Sequence, residues 1–495
     1  MPPMPMRVAM LASECEPWAK TGGLADVVDA LARALGELGG EVVAPVEVFL
    51  PRYRGVPEPA TIERTTSLRV PDSRAPSGNS PVTVIDVPAD GYRLRLIDHP
   101  AAFDREGFYG DASGDYPDNP WRFGLFCRAA LEALRADGRP VDVVHLHDWH
   151  TGAAAIYRDV RYAGDPIVSG AAILLTLHNL AFHGWTPRSH LAQLGLAPGD
   201  GVVTRNADGL DLLLQGIERA ELVNTVSPGF ATEALTPAFG MGLDGGLRAK
   251  GDRFFGILNG LDTRVWDPAN DPDIAAPYSR ADRSGKAACR ADLLTRLGFD
   301  AADPRAVVGM IGRLDPQKGF DLLAGAAPAL LDRGARLVVQ GSGDPTLAGP
   351  FRAIATQNPH RVAFIERFDR AMARRIYAGA DFFAMPSRFE PCGQGQMIAL
   401  RYGTPPIVHR VGGLVDTVID ETTHPGAGTG FDFVGASVAR LLAACDRAIR
   451  MRDMGGPAWE GLLDRGMGVD FDWVTGSAPR YVDAYRRAIE IRRRA

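Results

Sequence analysis

Short apolar runs alternate with longer helical patterns along this chain, and the alternation begins again near its middle. Arg7 to Leu11 reads as a strand and Leu24 to Leu38 as an amphipathic helix. A strand at Val141 to Leu146 precedes a helix from Thr151 to Tyr162, with further strands at Ala172 to Leu177 and Leu222 to Val226. The pattern restarts with a strand at Ala306 to Ile311, a helix near Leu322 to Asp332, and strands at Arg336 to Gln340, Arg361 to Ile365, Phe382 to Met385 and Pro406 to Val408. Strands alternating with helices imply βαβ units, so the expectation is an α/β chain with two doubly wound parallel sheets. Its 495 residues exceed the size at which a single core stops growing, which also requires two domains or more. The loop-rich stretch Asn259 to Ser284, with its prolines and aspartates, is the hinge expected between them. Pro71 to Pro81, rich in Pro, Ser and Gly, reads as a surface loop. Tyr481, Ala484, Tyr485, Ala488 and Ile491 give the last segment, Ala478 to Arg494, helical spacing.

The bulk numbers exclude several classes. A net charge of −6 without long charged blocks argues against a nucleic-acid binder, which would show a basic face. The five cysteines, Cys15, Cys127, Cys289, Cys392 and Cys445, are scattered and lack CxxC spacing, so reduced thiols are the expectation rather than disulfides or structural zinc. The apolar stretch Val8 to Ala12 is short and runs into Glu14 and Glu16, unlike a signal peptide. No apolar run approaches the ~20 residues of a membrane helix, and the expected location is the cytoplasm.

Only four lysines occur, Lys20, Lys250, Lys286 and Lys318, against 50 arginines. Two of the four stand beside glycine just after an apolar run, in Lys20-Thr21-Gly22-Gly23-Leu24 and in Arg313-Leu314-Asp315-Pro316-Gln317-Lys318-Gly319. A flexible point charge beside a glycine turn suits a phosphate. Gly22 and Gly23 let backbone N–H groups approach an anion at a helix N-terminus, and Asp26 can accept from a hydroxyl. Arg313 and Lys318 can hold a diphosphate and stabilise its charge as it leaves. Read blandly, the first string is an ordinary strand-to-helix turn and the second a solvated pair of cations.

Three more strings lie at strand ends. His145-Leu146-His147-Asp148-Trp149-His150 reads as a substrate-lining cluster in preference to a metal site, because open α/β sheets bind ligands outside that edge. Thr176-Leu177-His178-Asn179 ends an apolar strand on a His-Asn pair, where a lone histidine would otherwise be taken for a satisfied core residue. Pro386-Ser387-Arg388-Phe389-Glu390-Pro391-Cys392-Gly393-Gln394-Gly395-Gln396 fixes a carboxylate before a glycine-rich helix start. Glu390 can grip sugar hydroxyls there, and backbone N–H groups from Gly393 onward can meet the distal phosphate. Cys392 has no base beside it in sequence and is read as a packing residue.

In this order the five strings resemble the bacterial glycogen synthase and plant starch synthase family, over nearly the whole chain. Tyr109-Gly110-Asp111, Asn224-Thr225-Val226-Ser227-Pro228, Gly256-Ile257-Leu258-Asn259-Gly260-Leu261-Asp262, Arg401-Tyr402-Gly403-Thr404-Pro405 and Val411-Gly412-Gly413-Leu414 extend the resemblance. It implies the GT-B arrangement of two Rossmann-like domains facing a deep cleft: 1–262 on the acceptor side, 263–477 binding the nucleotide sugar, and a final helix at 478–495 crossing back to the first. It implies retaining transfer of glucose from ADP-glucose to the non-reducing end of an α-1,4-glucan such as glycogen, with no cofactor and no metal. The resemblance gives catalytic roles to His178, Arg313, Lys318 and Glu390. It gives donor contacts to Lys20, Gly22, Gly23, Asp26, Asp148, Asn179, Phe368, Gly393, Gln394 and Gly395, with Phe368 stacking on the base. One departure stands out: the family usually carries a hydroxyl residue where this chain has Gly395.

A double displacement needs a carboxylate beneath the anomeric carbon. Neither Asp148 nor Glu390 is plainly that group, so same-face attack with the leaving diphosphate as base is favoured. The competing readings are a GT-B transferase using a UDP donor or another acceptor, a nicotinamide dehydrogenase, and a non-catalytic glucan binder. No strand is followed by a GxGxxG with an acidic residue ~20 positions on, which argues against the dehydrogenase. The presence together of Lys20, His178, Arg313, Lys318 and Glu390 argues against the non-catalytic relative. Nothing in the sequence sets an oligomeric state.

Overall fold

A computed structural model of the chain describes residues 5–39, 43–197, 199–200, 202 and 209–494. The chain divides into two compact units, one of Met1–Val226, Ala231–Gly260 and Trp473–Ala495, the other of Ser227–Phe230 and Leu261–Asp472.

The first unit is built on a nine-stranded sheet. From one edge its strands are Phe254–Gly256, Leu222–Thr225, Ala172–Leu177, Val143–His147, Val8–Leu11, Val46–Pro51, Tyr92–Asp98, Asn79–Pro88 and Arg64–Pro71. The first seven run parallel, and the last two extend the edge as an antiparallel meander. Val8–Leu11 and Ala172–Leu177 are buried along their whole length, which is why they read as apolar runs, broken in the second only by Thr176. After Val8–Leu11 the chain winds through helix Gly23–Glu37 to Val46–Pro51 on one side. It later returns to Val143–His147 on the other. The strand order therefore reverses at the carboxyl ends of Val8–Leu11 and Val143–His147, the place where open α/β sheets bind ligands. The last helix, Ala478–Arg494, buries Tyr481, Ala484, Tyr485 and Ala488 in this unit.

The four strands between Val46 and Asp98 were not legible as strands, and their charges explain why. Arg95, 1% exposed, pairs with Glu47 at 2.7 Å, Asp86 at 2.9 Å and Asp137 at 2.6 Å. Arg7 pairs with Glu47 and Asp137, each at 2.8 Å. This mutually neutralised network lets ionised residues occupy buried strands, and it erases the apolar pattern. The loop expected at Pro71 to Pro81 is in fact a hairpin. Strand Arg64–Pro71 ends at its first residue and strand Asn79–Pro88 begins before its last. Between them Asp72 accepts from Ser80 Oγ at 2.6 Å and from Trp121 Nε1 at 2.9 Å.

The second unit has a six-stranded, all-parallel sheet in the order Val362–Ile365, Arg336–Gly343, Val307–Leu314, Phe382–Met385, Pro406–His409, Phe431–Phe433. Leu322, Leu323, Ala326 and Leu330 of helix Phe320–Asp332 pack on Leu337, Val339, Phe382 and Ile407 to form its main core. Here the order reverses between Val307–Leu314 and Phe382–Met385. Among the described residues no helix is long and apolar enough to cross a membrane, and all five cysteines are buried and unbridged.

Candidate active site

In each unit the sequence strings fall at the reversal of strand order. In the first unit, strand Val8–Leu11 leads into Ser13 and Glu14. The buried Glu14 carboxylate accepts from Thr21 N and Thr21 Oγ1 at 2.6 Å each, Gly22 N at 3.0 Å and Tyr109 Oη at 2.7 Å. Glu14 thus pins the Lys20–Gly23 turn and takes the Gly22 amide that sequence reasoning assigned to an external anion. The amides of the helix's first turn, from Gly23 on, have no partner within the helix. A Cβ at Gly22 or Gly23 would meet nothing within 4 Å, so the approach to that helix start is open.

Lys20 Nζ reaches Asp26 Oδ1 at 2.6 Å and Glu16 Oε2 at 2.8 Å, with its side chain 43% exposed. Burial, together with a hydrogen bond to Glu16, pushes Asp26 up to about 7 against the pull of Lys20. Glu14 and Glu16 were missed as site residues. The available signal was a carboxylate placed between an apolar strand and a Thr-Gly-Gly turn.

Strand Val143–His147 delivers the histidines. His145 and His147 share a face, with ring centroids 4.2 Å apart. His145 is structural: its ring nitrogens meet Tyr485 Oη at 2.9 Å and Thr176 Oγ1 at 2.7 Å. His150 is buried against Trp149 and Tyr109. His147 Nδ1 lies 3.0 Å from His178 Nε2. Burial holds His178 down to about 3, so its ring is neutral near pH 7.

Asp148 ends the strand with φ 56° and ψ −174°, a backbone region populated almost only by glycine, where strain of about 1–3 kcal/mol is typical. Its carboxylate holds it there by accepting from His178 N at 2.7 Å and Asn179 N at 3.4 Å. Burial pushes Asp148 up to about 7, against those N–H donors. Asn179 caps its own turn by accepting from Ala181 N at 2.9 Å.

In the second unit, Lys318 follows strand Val307–Leu314 and Glu390 follows strand Phe382–Met385. Gly319 has φ 71°, and a Cβ on it would lie 2.2 Å from the Pro386 carbonyl oxygen. The glycine therefore lets the lysine turn close on the second loop. Lys318 Nζ meets Glu390 Oε2 at 2.6 Å, and Ser387 Oγ donates to the same oxygen at 3.0 Å. Gln317 Nε2 donates to Phe389 O at 3.0 Å and ties the loops a second time.

Arg313, at the end of its strand, is exposed and has no ion-pair partner among the described residues. Phe368 is 82% exposed, in the turn after strand Val362–Ile365. Gly393 and Gln394 lead into helix Gly395–Arg401, braced by Gln396 Nε2, which donates to the Cys392 and Gly393 carbonyls at 3.0 Å each. Cys392 is buried beneath this turn.

Each unit therefore presents a cluster of polar groups at a sheet edge. The first offers a cation, a neutral imidazole and an open helix start. The second offers an exposed guanidinium, a cation–carboxylate pair and an exposed aromatic ring. The second unit's groups by themselves suit a ligand with a charged phosphate portion, a hydroxyl-rich portion and a flat ring.

Comparisons with known proteins agree on one lineage. Residues 7–249 match the family model of the starch synthase catalytic domain, and residues 305–450 that of glycosyl transferases group 1. The chain is 43% identical over 472 residues to a glycogen synthase of Anaeromyxobacter dehalogenans, covering 93% of this chain and 95% of that one. It is 40% identical over 471 residues to a glycogen synthase of Syntrophotalea carbinolica, with the same coverage. Among solved structures, the catalytic domain of starch synthase IV from Arabidopsis thaliana, bound to ADP and acarbose, has a TM-score of 0.87 and 34% identity, covering 98% of this chain and 100% of that one.

Proposed function

This chain belongs to the glycogen synthase and starch synthase family, and we propose that it transfers glucose specifically from ADP-glucose to the non-reducing end of an α-1,4-glucan. It is a retaining glucosyltransferase of the GT-B fold, taking a nucleotide-sugar donor and a glucan acceptor. ADP as the nucleotide is supported by the starch synthase relative, which binds ADP. We assign 1–262 to the acceptor side, 263–477 to the donor side and 478–495 to a helix returning to the first.

The observation that carries the residue roles is the Lys318–Glu390 pair, 2.6 Å apart at a reversal of strand order. Arg313 and Lys318 hold the diphosphate, and Glu390 accepts from sugar hydroxyls. The Gly393-Gln394-Gly395 turn lies at the distal phosphate, and Phe368 stacks on the base. On the other unit, Lys20, Gly22, Gly23 and Asp26 meet the donor, while His178, steadied by Asp148 and Asn179, meets its glucose.

In the reaction the bond from the sugar's anomeric carbon to the diphosphate oxygen breaks as the acceptor's O4 attacks the same face. The O4 proton passes to the departing diphosphate oxygen. The existing bonds of both carboxylates support this route over a covalent one. Glu390 is engaged by Lys318 and Ser387, and Asp148 by two backbone N–H groups. Preorganised positive charge at the leaving group then supplies the largest share of the rate enhancement.

A donor panel with glycogen as acceptor, following nucleotide release, tests the assignment. ADP-glucose should turn over fastest. Preference for UDP-glucose would replace the donor while leaving the family unchanged.

A further inference from the structure

His147 ends one strand and His178 follows the end of its parallel neighbour, and they meet through their rings, with His147 Nδ1 and His178 Nε2 3.0 Å apart. His147 is completely buried, and its second nitrogen, Nε2, has no partner among the described residues. Burial keeps both rings neutral near pH 7. A neutral imidazole carries one proton, so the contact has two possible polarities. If His178 donates from Nε2, His147 must carry its own proton on Nε2, as a buried N–H without an acceptor. If His147 donates from Nδ1, its Nε2 is a bare lone pair. A buried N–H without an acceptor is the rarer of these two defects, so the second polarity prevails.

The neighbouring ring is locked independently. Thr176 Oγ1 donates to Asn224 Oδ1 at 2.7 Å, so it accepts from His145 Nε2–H, also at 2.7 Å. His145 Nδ1 is then the acceptor for Tyr485 Oη at 2.9 Å. His145 has no proton left to offer His147. The residue after His147 holds the other part of His178: Asp148 Oδ1 accepts the His178 main-chain N–H at 2.7 Å. Two consecutive residues at one strand end thus fix the backbone and the ring of the same histidine.

We infer that His147 is a positioning residue, donating from Nδ1 to His178 Nε2 and so fixing His178 as the Nδ1–H tautomer that faces the donor sugar. This rests on the reading of His178 as a sugar contact. Its consequence is that His178 meets the sugar only as a hydrogen-bond donor, through Nδ1–H, toward a hydroxyl or ring oxygen. Without the contact, an imidazole favours the Nε2–H form.

The test is 15N NMR of the full chain labelled at histidine, with His178→Gln to assign the resonance, combined with kinetics. In the wild type His178 should show a protonated Nδ1 and a bare Nε2. His147→Phe should move the proton to Nε2 and lower kcat about tenfold, with the donor KM changed less than twofold. His147→Asn, whose amide N–H can replace the Nδ1 donor, should keep the tautomer and most of kcat. A wild-type His178 protonated on Nε2 overturns the inference without any variant. So does an unchanged tautomer in His147→Phe. Wild-type turnover in His178→Ala would instead remove the sugar-contact reading and leave the tautomer result standing.

Discussion

Lys318 Nζ lies 2.6 Å from the buried Glu390 carboxylate, from which it is 72 residues distant in sequence. Arg313, on the same strand-to-helix connection, is exposed and unpaired among the described residues. The two cations are assigned the same task in catalysis, but they differ in what the folded protein loses without them.

Lys318→Ala and Arg313→Ala should each cost on the order of 3 kcal/mol, about a hundredfold in turnover, by removing charge from the departing diphosphate. Only Lys318→Ala should also lower the melting temperature, because it leaves Glu390 buried without its cation. Turnover and thermal melts of both variants check this. Wild-type turnover in either folded variant removes that residue from the role.

Gly395, where the resemblance leads one to expect a hydroxyl side chain, sits in tight packing. A Cβ there would lie 3.0 Å from Phe383 Cε1, 3.3 Å from Met385 Sδ and 3.4 Å from Tyr377 Oη. Gly395→Thr should therefore destabilise the protein by about 1–3 kcal/mol, through overpacking, and raise no activity. Denaturant unfolding measures the first part. A variant of unchanged stability with faster turnover would mean that this chain lacks a hydroxyl it could use.

Cys392 is buried under the Gly393 turn, and its main chain lies close against Gly413. Cys392→Ser should keep turnover within about fivefold, since the buried thiol takes no part in the proposed transfer. Complete loss of activity with normal folding and donor affinity would make the thiol catalytic.

Asp148 has a pH signature. Burial lifts its carboxyl to about 7 in the folded state, against about 4 unfolded. Between those values the folded protein holds the extra proton, so this group's contribution to stability falls as pH rises through the window and levels off above it. Asp148→Asn can still accept from His178 N and has no charge to bury. Its melting temperature relative to wild type should therefore be higher at pH 8 than at pH 5. Asp26, also raised, contributes equally to both proteins and cancels in the difference. The same difference at both pH values would show that burial does not raise Asp148.

The two wound sheets were legible because their central strands, such as Ala172–Leu177 and Phe382–Met385, are buried along their whole length and almost wholly apolar. Strands Val46–Pro51 to Tyr92–Asp98 were not, because Arg7, Arg64 and Arg95 are matched with Glu47, Asp86 and Asp137 only in three dimensions. The strings around Lys20, His178, Lys318 and Glu390 stood out by residue type beside glycine or proline. Glu14 and Ser387 did not, and His147 stood out only as one member of a substrate-lining string, since what they do depends on which loop folds against them.

Transfer of radiolabelled glucose from ADP-glucose to glycogen, followed by β-amylase digestion, tests the central claim most directly. β-Amylase removes maltose from the non-reducing ends of α-1,4 chains. The account predicts incorporation that depends on the enzyme, exceeds that from UDP-glucose, and is released almost wholly as labelled maltose. No incorporation from ADP-glucose, or label that resists the digestion, would contradict it.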